Sequence, residues 1–296
     1  MRGGGRDRET LIRQGIEAGS RDMMSEDRIW SRHSSDKADI SRVLMRVVRR
    51  LHRTLPAGLE MRALSLGSGS EPQLQILKAA FGGGLYLLDV DEVPLETVRK
   101  DLRNRCIEEG VYTLRGDYCA LLASAGSSRG FLRSSLHGER VHLVTMHHSL
   151  YYAETSSWKE LFRNVLDEIL PGHGSVHAVL MSPDCSLEDS TARLYARFAG
   201  GFLGARNDQD LAAFSRDIRR EPWMRGASVG VETRQVRFSA EDFRQLMSVV
   251  WMILLYPSPN RFDQGQMREI AEYVYDVIWS GGRSLVQLQD HLVINR

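Results

Sequence analysis

Four short apolar runs each end in residues suited to holding or reacting with a small polar molecule. Met61 to Leu66 ends in Gly67-Ser68-Gly69-Ser70-Glu71, where glycines let the backbone approach a ligand with no Cβ in the way. Leu85 to Leu88 ends in Asp89, a carboxylate able to accept both hydroxyls of a ribose. Val111 to Leu114 leads into Arg115-Gly116-Asp117-Tyr118-Cys119, a carboxylate and backbone amides that suit an adenine edge. Val141 to Met146 leads into His147-His148-Ser149-Leu150-Tyr151-Tyr152, offering an imidazole for proton transfer and tyrosine faces that attract a cation. Taken singly, each has a plainer explanation. The glycines also make an ordinary strand-to-helix turn, and the Asp117 segment a capped turn. Asp91 competes with Asp89 for the ribose, and equally reads as an N-cap with Pro94 in the first turn of the helix it starts. What sets the glycine turn apart is the succession of four such tips.

The elements that must position these residues alternate. Helical stretches lie at Gln73 to Ala80, Leu95 to Ile107, Ala120 to Ala125 and Ser156 to Leu170, the last closed by Pro171-Gly172. A fifth apolar run, Ser175 to Met181, completes the set of strands. Such alternation implies a parallel sheet, whose ligands sit at the carboxyl ends of the strands. Upstream, Ile40, Val43, Leu44, Val47, Val48 and Leu51 recur at helical spacing from Asp39 to about Arg53, before the Pro56-Ala57-Gly58 breaker. From Asp189 the alternation breaks down. A helix around Leu194 to Phe202 is followed by a polar stretch to Arg225, a strand at Val229 to Phe238, two more helices and a closing strand at Ser284 to Asn295. Residues 1–25 read as a flexible tail and 26–296 as the working domain, with helical lid elements at about 189–225 and 240–282. Tyr256-Pro257-Ser258-Pro259-Asn260 reads as a rigid turn.

The glycine pattern departs from that of a dinucleotide site, because Pro72 stands where G-x-G-x-x-G has its third glycine. A pyrophosphate wants the close helix approach which that glycine permits. S-adenosylmethionine carries no phosphate and needs only a ribose carboxylate, an adenine slot and room for its methionine part. The expectation is therefore a Rossmann-like α/β fold with a mainly parallel sheet flanked by helices, binding S-adenosylmethionine.

These residues resemble the class I methyltransferases and, more narrowly, the histamine N-methyltransferase family. Ala63 to Glu71 with Leu74-Gln75-Ile76-Leu77 is similar to that family's cofactor turn and helix, one residue shorter between Gly69 and Glu71. His148-Ser149-Leu150-Tyr151-Tyr152 is similar to its strand-four segment, and Arg32-His33-Ser34-Ser35-Asp36-Lys37 to the motif bearing its substrate carboxylate. The resemblance implies that Asp36 holds the amine, that His148 stands for a family glutamine, and that Gln287 lies near a family asparagine. It also implies that Asp89, Cys119 and His147 line the cofactor. Gly67, Ser68, Gly69, Asp91, Asp117 and Tyr118 complete the expected cofactor set. Asp36 and His148 form the catalytic pair, with Trp30, Tyr151, Tyr152 and Gln287 as substrate contacts. Two departures, the histidine at 148 and the lack of tryptophan between Ser182 and Asp189, count against histamine itself. Asp36 also reads as the N-cap of the helix behind it.

Composition limits the alternatives. Lys and Arg number 39 against 38 Asp and Glu, a net charge of +1, and no basic stripe with interleaved aromatics invites nucleic acid. Cys106, Cys119 and Cys185 lack the spacing of a zinc site or disulfide framework and suggest a reducing, cytoplasmic setting. His147-His148 brings no carboxylate or cysteine pattern, so no metal is expected. The apolar run Val249 to Tyr256 is under half the roughly 20 residues of a membrane span. The reading is methyl transfer to a small-molecule acceptor, an amine nitrogen first. A hydroxyl or carbon acceptor in natural-product biosynthesis, and a catalytically silent binding protein, stay open.

Overall fold

The computed structural model describes residues 5–19, 23–255 and 261–296. The expected turn at 256–260 and residues 1–4 and 20–22 of the expected tail lie outside them. In chain order the elements are α1 (Gly5–Glu17), α2 (Met23–His33), α3 (Asp36–Thr54), β1 (Arg62–Leu66), α4 (Leu74–Ala80), β2 (Gly84–Asp89), α5 (Glu92–Arg105) and β3 (Val111–Arg115). There follow α6 (Tyr118–Leu121), α7 (Ala125–Ser135), β4 (Leu143–His147), α8 (Trp158–Asn164), β5 (Ser175–Met181), α9 (Thr191–Leu194), α10 (Gly201–Leu203) and α11 (Leu211–Ile218). The last are β6 (Ser228–Phe238), α12 (Phe243–Leu255), α13 (Gln264–Val274) and β7 (Leu285–Asn295).

The seven strands form one sheet in the order β3-β2-β1-β4-β5-β7-β6. The first five pair in parallel, with Leu64 opposite Tyr86 and Val144, and Thr145 opposite His177. β7 runs the other way. Ser182 N donates to Leu288 O, whereas Arg296 N donates to Gly174 O, so the partner number falls as β5 advances. The sheet is thus mixed and mostly parallel, in agreement with the expectation of a mainly parallel Rossmann-like sheet.

The chain divides into two compact units, one of residues 1–39, 181–208 and 233–289, the other of residues 40–180, 209–232 and 290–296. In the second unit, alternate residues of one strand serve opposite faces, the two-residue period of a pleated strand. Leu64, Leu66, Tyr86, Leu88, Val144 and Met146 join a core with Phe131, Trp158 and Phe162 of α7 and α8. Ala63, Leu85, Leu87 and Leu143 join a second core with Leu44, Val47, Leu51, Leu74, Leu77 and Leu95 of α3, α4 and α5. Helices therefore cover both faces, which explains why these strands read as continuous apolar runs.

The first unit has its own core, in which Ile12, Trp30, Phe198, Phe238, Phe243 and Trp251 take part. Here the structure corrects the expected tail. α1 lies against α12, Ile12 is wholly buried, and the Trp251 indole donates to Gly15 O at 2.8 Å. Glycines and charges near the N-terminus suggested disorder, but Leu11, Ile12 and Ile16 give the helix one apolar edge to bury. Three other expectations shift. The helix expected at Ala120 to Ala125 breaks after Leu121 and restarts as α7, where Ser124 and Ser127 form a capping box. The polar stretch before Arg225 contains α11, started by Asp210 accepting from Ala213 N. The lid expected at 189–225 is divided between the two units at residue 208.

Candidate cofactor and acceptor site

At the tip of β1 the turn is built by two glycines with different constraints. Gly67 has φ +61°, and a Cβ there would come within 2.4 Å of Ser149 Cβ at the β4 tip. Gly69 has φ +52°, and a Cβ on it would meet nothing within 4 Å. Gly67 thus permits two strand tips to touch, while Gly69 faces open space. Ser68 N donates to Leu88 O at 3.0 Å, tying the turn to β2.

Asp89 spans the same gap. Its Oδ2 accepts from Gly69 N at 2.7 Å and its Oδ1 from Asp91 N at 2.9 Å. Asp91 accepts from Val93 N at 3.0 Å as the N-cap of α5, so its plainer reading is the one realised. Asp117 likewise caps α6 through Cys119 N at 2.8 Å. The Tyr118 hydroxyl donates to Ser149 O at 2.8 Å, joining the tips of β3 and β4. Burial raises the Tyr118 phenol and the Cys119 thiol, so both keep their protons at neutral pH.

β4 ends in a strained turn. His148 adopts φ +57°, a left-handed conformation uncommon for a residue with a Cβ, and its N donates to Val179 O at 2.9 Å. The His148 ring lies parallel to Tyr151 at a centroid distance of 6.0 Å. Tyr151 packs against the core, whereas Tyr152 is exposed. The cofactor residues expected from Gly67 to His147, with His148, Tyr151 and Tyr152, all belong to the second unit, at the carboxyl ends of four adjacent strands.

Asp36, Trp30 and Gln287 belong to the first unit. Asp36 is fully buried in the first turn of α3, and the Lys37 ammonium stands 3.2 Å from its Oδ2. Asp36 lies inside the helix rather than at its cap, and its N donates to the Ser34 hydroxyl at 3.3 Å. Trp30 is buried with its ring stacked on Phe238 at 5.5 Å, a core position. Gln287 donates to Gln289 Oε1 at 3.2 Å.

Three polar features escaped the sequence. Glu71, at φ +43° and buried, accepts from Gln73 N at 3.1 Å and from the Ser65 hydroxyl. His177 and His291 are buried beside His147. The available signal was a lone polar residue in an otherwise apolar strand, Ser65 in β1 and His177 in β5. Among the described residues no group of His, Cys, Asp and Glu could hold a metal ion, and no helix is long and apolar enough to cross a membrane.

No family model and no curated protein sequence matches the chain. Solved structures do. The YcgJ protein from Bacillus subtilis matches at a TM-score of 0.51 and 9% identity, over 85% of this chain and 97% of its own. A protein from Bacillus halodurans assigned as a methyltransferase matches at 0.52 and 12%, over 84% and 97%. The plantazolicin methyltransferase BamL, solved with a triazolic desmethyl analogue and SAH, aligns at 11% identity over 98% and 97%, with a TM-score of 0.49. The first two similarities place the chain in the Rossmann-like fold found in that methyltransferase.

Proposed function

We propose that this chain is an S-adenosylmethionine-dependent methyltransferase for a small molecule, with an amine nitrogen as acceptor. The observation that carries the reading is the Asp89 carboxylate, held at the tip of β2 against the amide of Gly69, whose own face is open. That pair supplies a ribose carboxylate beside a backbone that a ligand can approach. The Tyr118 bridge to Ser149 and the close passage at Gly67 fix the neighbouring tips in the same cluster. The missing third glycine favours a ligand without a pyrophosphate.

Bound S-adenosylmethionine would supply an already activated methyl group, so the protein has mainly to place a lone pair in line at about 3 Å and exclude water. Gly67, Ser68, Gly69, Asp89, Tyr118 and Cys119 are the residues that would hold it, with Asp91 and Asp117 shaping the loops. His148 orients the acceptor with Tyr151 and Tyr152 around it. An amine has a pKa near 10, so it must shed a proton to attack.

Titration calorimetry with S-adenosylmethionine and its demethylated product, followed by a methyl-transfer screen over small amines, tests the reading. Micromolar binding with turnover on an amine supports it. Turnover only on hydroxyl or carbon nucleophiles removes the nitrogen assignment. Binding without any turnover makes the chain a silent binding protein, and absence of binding refutes the whole reading.

A further inference from the structure

The outer face of α3 is a ridge of arginines. Between Asp39 and Glu60 the chain holds Arg42, Arg46, Arg49, Arg50 and Arg53 and not one Asp or Glu, a local excess that the overall charge of +1 conceals. At 3.6 residues per turn the five positions fall within an arc of about 100°, and they run about 16 Å along the helix axis. The buried Val43, Leu44, Val47, Val48 and Leu51 take the opposite side of the helix. Arg46 pairs with Glu232 of β6. Arg49, Arg50 and Arg53 are exposed and meet no carboxylate among the described residues.

The ridge ends in a loop of different character. Leu55-Pro56-Ala57-Gly58-Leu59 has no polar side chain. Leu55 packs back on the core, while the other four residues are exposed, Leu59 to 43%. At Gly58, with φ +83°, a Cβ would meet nothing within 4 Å, so the tip projects into open space. The backbone here is largely paired within itself. Leu55 N donates to Leu51 O at 2.9 Å, Leu59 N donates to Pro56 O at 3.2 Å, and the Thr54 hydroxyl donates to Arg50 O at 3.1 Å. Pro56 has no N–H to satisfy. Polar groups that are already paired cost less to take out of water, so this loop can enter a less polar medium more readily than an ordinary surface loop.

We propose that the C-terminal half of α3 and the loop behind it dock on an anionic lipid bilayer. Arg49, Arg50 and Arg53 meet the headgroup charges, each strengthening binding about fivefold. Leu59 and the loop tip enter the boundary between headgroups and acyl chains. The basic patch attracts and the apolar insert holds, and binding strength grows with both. A nucleic acid would meet the same charge, but from Ile40 to Leu59 there is no Phe, Tyr or Trp on which a base could stack. An exposed leucine also gains little from a phosphate backbone. All of these residues belong to the second unit, and docking of this kind requires no methyl transfer.

Co-sedimentation of the full chain with vesicles tests the proposal. Vesicles of phosphatidylcholine alone are compared with vesicles containing about 30% phosphatidylserine, at about 0.1 M and 0.5 M salt. At low salt the chain should bind the anionic vesicles at least about 10-fold better than the neutral ones, and high salt should release it. Arg49→Gln, Arg50→Gln and Arg53→Gln together should lower that binding at least about 10-fold. Leu59→Ser should lower it at least about threefold and leave the salt dependence unchanged. All four side chains are exposed, and a melting temperature equal to that of the wild type shows that the variants fold. Equal binding to both vesicle types, or anionic binding that survives either the triple substitution or Leu59→Ser, overturns the proposal. So does binding to poly(U) that exceeds vesicle binding and is lost in the triple variant, which would make the ridge a nucleic-acid surface.

Discussion

The Asp89 carboxylate bridges two loops at once, accepting from Gly69 N at 2.7 Å through one oxygen and from Asp91 N at 2.9 Å through the other. Both oxygens are aimed by backbone amides, so their direction is fixed before any ligand arrives. Hydrogen bonds to a charged group are worth about 1.5 to 3 kcal/mol. Asp89→Asn keeps the shape but loses the charge and one acceptor. It should weaken S-adenosylmethionine binding at least about 10-fold and, by losing one of the two amide hydrogen bonds, also lower stability by about 1.5 to 3 kcal/mol. Calorimetry and a thermal melt check this, and unchanged affinity would remove Asp89 from the cofactor set.

Gly67 and Gly69 separate steric need from ligand access. Both have positive φ, so alanine strains either by about 1 to 3 kcal/mol. At Gly67 the new Cβ also meets Ser149 Cβ at 2.4 Å, whereas at Gly69 it enters open space. Gly67→Ala should therefore cost about 1 kcal/mol or more beyond Gly69→Ala in urea denaturation. Gly69→Ala should instead lose cofactor affinity while still folding. Equal stability losses and equal affinities would mean that the two glycines do the same job.

The contrast at these glycines shows what the sequence could reveal. The strands were legible because both faces of the sheet are covered, so Leu64, Leu66, Leu85 and Leu88 belong to nearly continuous apolar runs. The strand-tip residues followed from where such runs stop. Trp30, by contrast, could be aligned with a substrate contact although its ring packs on Phe238. The histidine array was invisible because its members come from three strands and meet only through the order β4-β5-β7. α1 was missed because Gly3, Gly4 and Gly5 dominate the local composition, while the partner that buries Ile12 comes from the far end of the chain.

That partner makes the role of α1 measurable. Deleting residues 1–19 removes the fully buried Ile12 side chain and the carbonyl to which Trp251 donates. Burying one aliphatic side chain contributes about 1.5 to 3 kcal/mol and the hydrogen bond about 1, so the deletion should cost about 3 kcal/mol or more. Trp251→Phe removes the hydrogen bond together with part of a fully buried side chain and should cost about 2 kcal/mol or more. An unaltered denaturation midpoint after deletion would restore the view of this segment as a tail.

Acid sensitivity should follow from the buried histidines. Burial lowers the pKa of His177, and burial together with Arg62 lowers that of His142. For a histidine depressed in the folded state, the unfolded chain binds the proton first as pH falls. The native state is then favoured above the unfolded value of about 6.5, and stability is lost progressively below it. His177 alone can remove up to about 1.4 kcal/mol per pH unit in that window, and His142 adds less because its pKa is lowered less. Urea denaturation should thus show a lower stability at pH 5.5 than at pH 7.5, with a shallower drop in His177→Gln. If the wild-type and variant slopes coincide, His177 is not the group that the acid titrates. The His177→Gln comparison at pH 7.5 also measures what the His177 hydrogen bonds contribute when that ring is neutral, since its proton uptake then does not distinguish the two states.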